Sequence, residues 1–431
     1  MKNLIKSLIL LALVVSCSPE EQGVKSLNSV ATDYVKLGLE IGEYDPAFVD
    51  AYYGPDSLKF TGDKRDSLPK EDFLNRVSAM KIDLAKISIS KESSDEEKLR
   101  STWMISQLTA FDRRIKIASG EFGTFDEEAE DLFGVKIPTY DSTHFIALIA
   151  ELDAALPGEG TLDQRKDALV SKFTIPEDRI DTVFKVAIEA ARKITQERFD
   201  LPEGETFTLE YVRDKTWSGY NWYQGDYTSL IQINLDRPIL VDRVIDLACH
   251  EGYPGHHVYN MMLEKNLYVD KGWVEISLYP LFSPMSLIAE GSANYGIEMA
   301  FPGESYNKFA KEVLLPLAGL DTTGADAYFE YIGLKSKLNY ARNEAARGII
   351  NGTMTEADYT HWLEDFAMIN SSVPFIKAYR SYMVNYNYGK DLVKNYVENQ
   401  VESQASSDDD RWKAFDKLLS NPVIPKELLE E

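Results

Sequence analysis

Asp246-Leu-Ala-Cys-His250-Glu251-Gly-Tyr-Pro254-Gly255-His256-His257 is the stretch from which the rest of this chain is read. The chain has five histidines, and three of them fall between positions 250 and 257. A histidine beside a glutamate, with more imidazole close by, is the donor set of a hydrolytic zinc site. Neutral imidazoles hold the ion, and the carboxylate takes a proton from water. The usual arrangement is H-E-x-x-H on an unbroken helix, which sets the two imidazoles one turn apart. Here the fifth position is Pro254.

On a regular helix His250 and His257 share a face but lie roughly 10 Å apart along the axis, too far to share an ion. His256 points to another face. Either can join His250 only if the helix is deformed between them. Pro254 suits that role, because it lacks an N–H and its ring clashes with the carbonyl of residue 250. Gly255 then permits an irregular backbone angle. The spacing predicts a bulge or break at Tyr253-Pro254-Gly255, and by itself leaves His256 and His257 as alternatives.

A third ligand is expected from a neighbouring helix. Met285-Ser-Leu-Ile-Ala-Glu290-Gly-Ser-Ala-Asn294-Tyr-Gly-Ile-Glu298 is mostly apolar, and an unpaired carboxylate there is costly unless a metal takes it. Asn294 and Glu298 follow on the same face at successive turns and are candidate supports. Asp246 lies four residues before His250, on its face, and is a candidate acceptor fixing the imidazole tautomer. Cys249 is expected as a small packed hydrophobe, since adjacent helical residues point apart.

The octapeptide His-Glu-x-x-Pro-Gly-His-His resembles the signature of the bacterial domain of unknown function (DUF) 885 family, which is similar to the zincin metallopeptidases. The resemblance covers the chain from about residue 201; the N-terminal half matches loosely. It implies His250 and His256 as zinc ligands, with His257 the alternate, and Glu251 as the general base. Glu290 falls on the family's Glu-Gly-x-Ala-x-Tyr-x-x-Glu pattern. The segment Tyr379 to Gly389 resembles the family's tyrosine-rich C-terminal stretch. Zincin chemistry needs a donor for the developing oxyanion. Tyr386 is the first choice, with Arg342, Tyr382 and Tyr388 as alternates.

Ahead of the His250 helix, expected over 237–249, Phe207–Val212 alternates like a strand. Trp217–Asn234 reads as a hairpin around Gln224-Gly225-Asp226. The resemblance implies that a strand edge here holds substrate backbone, and an exposed edge does offer N–H and C=O groups to an extended peptide. The remainder reads as helix: 24–39, a short helix at 46–55, 71–87, 94–119, then a Gly- and acid-rich loop with one helical turn at 120–140. Helices resume at 142–155, 161–172 and 176–199, and later at 303–318, 322–351, 355–369, 372–386 and 389–402. His144 and His361 lack ligand-like neighbours and are expected to be structural or exposed.

Residues 1–17 have a short basic start, an apolar run from Leu8 to Val15 and Ser16-Cys17, the layout of a secretory signal. The ending resembles a bacterial lipoprotein processing site, which implies lipid on Cys17 and a tether over 18–23. Only Cys249 remains, so no internal disulfide is expected. The formal net charge of −24 argues against nucleic acid as a partner.

The expectation is a mainly α, two-lobed zincin-like fold with a small β-hairpin or sheet beside the metal helix. Residues 24–200 form an N-terminal helical lobe and 201–431 the metal-binding catalytic lobe. The expected function is an exported, lipid-anchored, zinc-dependent peptidase on the periplasmic or cell-surface side of a bacterial membrane. A metal-dependent amidase shares the same chemistry. A non-catalytic peptide- or metal-binding lipoprotein is the remaining alternative, and it has no use for Glu251.

Overall fold

The computed structural model describes residues 25–369, 373–401 and 408–429. The expected signal and tether, Cys17 included, lie outside the described residues. The described chain is mainly helical, as its periodicity predicts, with one two-stranded and one three-stranded sheet.

Helix α1 (Leu27–Gly42) starts where the Ser26 side chain accepts the Ser29 N–H. Its apolar residues at helical spacing face α2 (Lys70–Ile89) and α3 (Asp95–Ala118), which form an antiparallel pair. The acid-rich segment expected as a loop with one turn instead contains a nine-residue helix, α4 (Phe125–Phe133). Its acids are a first turn: Thr124 and Glu127 form a capping box, and Asp126, Glu127 and Glu128 complement the positive helix end. Helices α5 (Ser142–Ala155), α6 (Leu162–Val170) and α7 (Ile180–Gln196) follow.

The short helix expected at 46–55 is not formed. Val49–Tyr52 is strand β1, paired antiparallel with residues Leu278–Pro280. Its stop at Gly54-Pro55 was legible, but its partner is more than 220 residues away in sequence. The strand at Thr206–Val212 (β2) and the hairpin of Gly219–Gly225 (β3) and Thr228–Asn234 (β4) form as expected. They join in the order β2-β4-β3, with β2 parallel and β3 antiparallel to β4. One edge of β3 therefore has no partner within this sheet.

Helix α8 (Val241–Leu247) leads into a wide π-type turn at Ala248–Gly252, and α9 (His256–Leu263) restarts beyond it. Strand β5 (Leu278–Pro280) precedes α10 (Pro284–Ala300). Then come α11 (Glu304–Phe309), α12 (Leu315–Ala318), α13 (Ala325–Lys337), α14 (Ala341–Ile350), α15 (Glu356–Trp362), α16 (Val373–Tyr379), α17 (Val384–Asn399) and α18 (Asp408–Leu419). The single helix expected at 322–351 is interrupted by a tight turn at Leu338–Tyr340. The break expected near residue 388 lies instead at Arg380–Met383, and α17 runs straight through Gly389.

Gly389 has a packing reason. Helix α10 crosses α17 so closely that a Cβ on Gly291 would lie 2.5 Å from the Gly389 carbonyl oxygen. That contact draws the helix bearing Glu290 against the tyrosine-rich helix. Elements from both sides of residue 200 contribute to one continuous apolar core, from Leu27 to Leu428.

Candidate metal centre

The break at Tyr253-Pro254-Gly255 sets the geometry. The wide turn closes with the Tyr253 N–H donating to the Ala248 carbonyl (3.1 Å), and the Gly255 N–H to that of Cys249 (2.9 Å). The Tyr253–Pro254 peptide is cis. A Cβ at Gly255 would sit 2.0 Å from the His250 carbonyl oxygen, so only glycine lets the chain fold back this closely. His256 becomes the first residue of α9 and its ring meets that of His250, edge on, with centroids 4.7 Å apart.

Glu290 completes the group from α10. Its Oε2 lies 3.3 Å from His250 Nε2 and 3.7 Å from His256 Nε2, and one ligand atom from each of the three residues falls within 4.8 Å of the others. The Glu290 side chain is 7% exposed and both imidazoles 12%. Glu290 Oε1 accepts a hydrogen bond from the Tyr382 hydroxyl (2.8 Å), whereas Oε2 is buried and has no hydrogen-bond partner. Burial opposes ionisation of Glu290; without an ion in the site, protonated His256 and His250 outweigh it and hold the carboxyl far below its usual range.

Asn294, one turn beyond Glu290, fixes His250. Its Nδ2 donates to the Tyr386 carbonyl (3.0 Å), so its Oδ1 is the atom facing His250 Nδ1 at 3.2 Å. The proton then belongs on Nδ1, and the Nε2 lone pair faces Glu290. An orphaned carboxylate oxygen opposite oriented imidazole nitrogens fits a divalent ion.

Asp246 does not fill the tautomer-fixing role, because its carboxylate pairs with Arg243 one turn back. Glu298 does not support the centre either. It pairs with Lys390 and Lys394, both at 2.7 Å; eight residues beyond Glu290 is about 12 Å along a helix. His257 is directed away from His250 and is fully buried. Its Nε2 faces Glu205 Oε2 (3.1 Å) and its Nδ1 faces Ser229 Oγ (2.8 Å). The alternative left open by the spacing therefore resolves to His256 as the neighbour of His250.

Glu251 is 4% exposed and lines a cleft of about 950 Å³ that also contains the three candidate ligands. Burial raises its carboxyl above the usual value, partly offset by His250 and His256. Its backbone carbonyl accepts from Asn221 Nδ2 (2.7 Å), and Gly219 lies against its carboxylate, where a Cβ would approach Oε1 to 2.9 Å. Strand β3 is thus seated directly on Glu251.

Tyr386 stacks on His250 with ring centroids 6.4 Å apart, and burial holds its phenol well above the usual value. Tyr382 is engaged with Glu290, while Tyr388 lies outside the cleft lining, in the field of Asp391 and Tyr140. Arg342 lines the cleft from α14. Cys249 is fully buried. His144 stacks on Tyr140 at the cleft margin, and His361 is exposed.

Two groups had no sequence signal. Asp50 of β1 lines the same cleft, accepts from the Tyr220 hydroxyl and is pushed up to about 6 by burial. Glu205, just before β2, accepts from Arg192 (2.8 and 2.6 Å) and from Tyr253 (2.5 Å) as well as facing His257. Both reach residues 250–257 only through tertiary pairing.

No known family profile and no curated protein matches this chain. Among solved structures, a "putative lipoprotein" from Colwellia psychrerythraea is similar, with a TM-score of 0.51 and 13% identity over 83% of this chain. This chain spans 65% of that structure's length, and at that identity the likeness shows the fold alone. Metallocarboxypeptidase 1 of Trypanosoma cruzi aligns over 91% of this chain and 90% of its own, at 10% identity. Its TM-score of 0.39 supports no argument about this protein.

Proposed function

We propose that this protein is a zinc-dependent hydrolase that cleaves peptide bonds. The observation that carries the proposal is the orphaned Glu290 Oε2 facing two imidazoles, with Glu251 beside them on the same cleft. His250, His256 and Glu290 would hold the ion; two nitrogens and one carboxylate oxygen suit zinc and leave a position free. When bound, zinc supplies Lewis acidity, which activates water and polarises a carbonyl.

The protein's own residues do the rest. Glu251 takes the proton from the attacking water and delivers it to the leaving amine, and its raised pKa brings it nearer the pH at which a base is most effective. Asn294 holds the His250 tautomer and Tyr382 holds Glu290. Tyr386, packed on His250, is the proposed donor to the carbonyl oxygen as charge develops there. The free edge of β3 at Gly219, Tyr220 and Asn221 lines the cleft and can pair with an extended peptide, which supports a peptide over a smaller amide.

For location we propose lipid attachment at Cys17. Among the described residues no helix is long and apolar enough to cross a membrane.

The deciding experiment is Glu251→Gln. The variant should retain about one zinc per chain while turnover of a mixed peptide library falls by on the order of 10²-fold or more. Turnover equal to the wild type would refute the base. Absence of zinc uptake by the wild type would refute the centre.

A further inference from the structure

Buried arginines in this fold normally meet a carboxylate through two N–H groups. Arg100 does so with Glu275 (2.5 and 2.8 Å), Arg114 with Asp45 (2.5 and 3.0 Å), and Arg380 with Glu128. Two other cations on the cleft are also neutralised, Arg243 by Asp246 and Lys390 by Glu298, and Lys337 is exposed to solvent. Such pairing is expected where acids outnumber bases 70 to 46.

Arg342 departs from that pattern. It is half-buried on the cleft lining, where Nη1 donates to Asn339 Oδ1 at 3.4 Å and Nη2 meets Met383 Sδ at 3.7 Å, with the Tyr386 and Tyr359 phenols nearby. No carboxylate among the described residues bonds to it. Lys335, also on the cleft lining, has no ion pair among the described residues; its ammonium lies over the Tyr331 ring at 5.9 Å, in the field of Asp242. Burial pulls both cations below their usual values, the sign of charges held without full compensation.

A half-buried guanidinium without a counter-anion is less stable than a paired one. Its five donors form a planar fork matched to a carboxylate. The same cleft carries Glu251, Glu290 and Asp50, so a substrate bound in it meets these acids as well as the two cations.

We propose that Arg342, assisted by Lys335, binds a carboxylate of the substrate, so that the cleft selects peptides bearing a negative charge. The carboxylate belongs either to a free C-terminus or to an Asp or Glu side chain, and the chemistry of recognition is the same. The identity of the substrate rests on the peptide-hydrolase reading; the anion site itself does not.

The test is a binding measurement that needs no turnover. The zinc-loaded full chain carrying Glu251→Gln is titrated with three N-acetylated tripeptides. One has uncharged side chains and a free C-terminal acid, one is its C-terminal amide, and one is an amide with a glutamate as its last residue. Either acid should bind at least about tenfold tighter than the neutral amide. Whichever acid is preferred identifies the source of the carboxylate. Adding Arg342→Met should reduce the preference to within twofold, with zinc content unchanged. Arg342→Lys should keep part of it, and Lys335→Met should lower it less.

Equal binding of all three peptides overturns the proposal. So does a preference that survives Arg342→Met, which would place the carboxylate on the ion instead. If Arg342→Met fails to fold, the proposal stands or falls on Arg342→Lys: a preference as large as with Arg342 overturns it, and a partial one supports it. A preference for acids without cleavage of any peptide by the chain with native Glu251 would remove the hydrolase reading and leave the anion site standing.

Discussion

His256 and His257 are neighbours in sequence and end in two clusters of like composition and opposite condition. His257 lies with Glu205, Arg192, Tyr253 and Ser229. Each Glu205 oxygen there has two partners, and both imidazole nitrogens are engaged. His256 lies with His250 and Glu290, where one carboxylate oxygen is buried with no hydrogen bond. Buried polar groups are usually satisfied, so the first cluster reads as scaffold and the second as the candidate ligand site. Imidazole and carboxylate in proximity thus say little; the atom left over carries the inference. The two clusters are also mechanically joined, since Tyr253 and His257 bracket the Pro254-Gly255 break that delivers His256.

Alanine replacements should break the comparison most sharply. His250→Ala and His256→Ala should each lose zinc and reduce turnover to background, measured by elemental analysis and peptide cleavage. His257→Ala should keep zinc and lose about 1–3 kcal/mol of stability in denaturant titration, the cost of leaving buried partners unsatisfied. Zinc loss in His257→Ala with retention in His256→Ala would reverse the assignment.

A smaller change should follow from Tyr386→Phe. Removing an oxyanion donor costs on the order of 10²-fold in kcat. Zinc content and KM should change little, because the ring stacked on His250 remains. A kcat within threefold of the parent would leave Tyr386 as packing only.

The smallest effect separates the clusters by pH. Burial would raise the Glu205 carboxyl, but His257, Tyr253 and Arg192 outweigh it and hold it down to about 2, against an unperturbed value of 4.5. A depressed folded-state pKa contributes stability that is fully present above the unfolded value and is lost as pH falls through the folded one. For zinc-free protein, the stability gap between wild type and Glu205→Gln should therefore be constant above about pH 4.5 and shrink between there and about pH 2. A gap independent of pH would show that Glu205 contributes shape rather than charge.

Much of the candidate centre was legible because it is local. His250, Glu251 and the Pro254-Gly255 break lie within six residues, and Glu290 stands out as an acid in an apolar helix. The β2 strand and the β3–β4 hairpin were legible through alternation and turn residues. Asp246 and Glu298 misled because helix-face arithmetic places side chains without saying what they meet. Arg243 took one, and Lys390 and Lys394 took the other. The strand at Val49–Tyr52 was missed because its pairing partner lies at Leu278–Pro280, and local propensity cannot see a partner that distant.

The sequence by itself determined the helical class and the chemistry available at residues 250–257. Those properties follow from side-chain type and short-range spacing. The tertiary structure decided which histidine meets His250, that Asn294 rather than Asp246 fixes its tautomer, and that Asp50 and Arg342 face the same cleft. Each depends on where a backbone bend or helix crossing delivers an atom. Hydrogen-bond satisfaction is settled over a few ångströms between residues up to hundreds of positions apart, a scale that spacing along the chain does not encode.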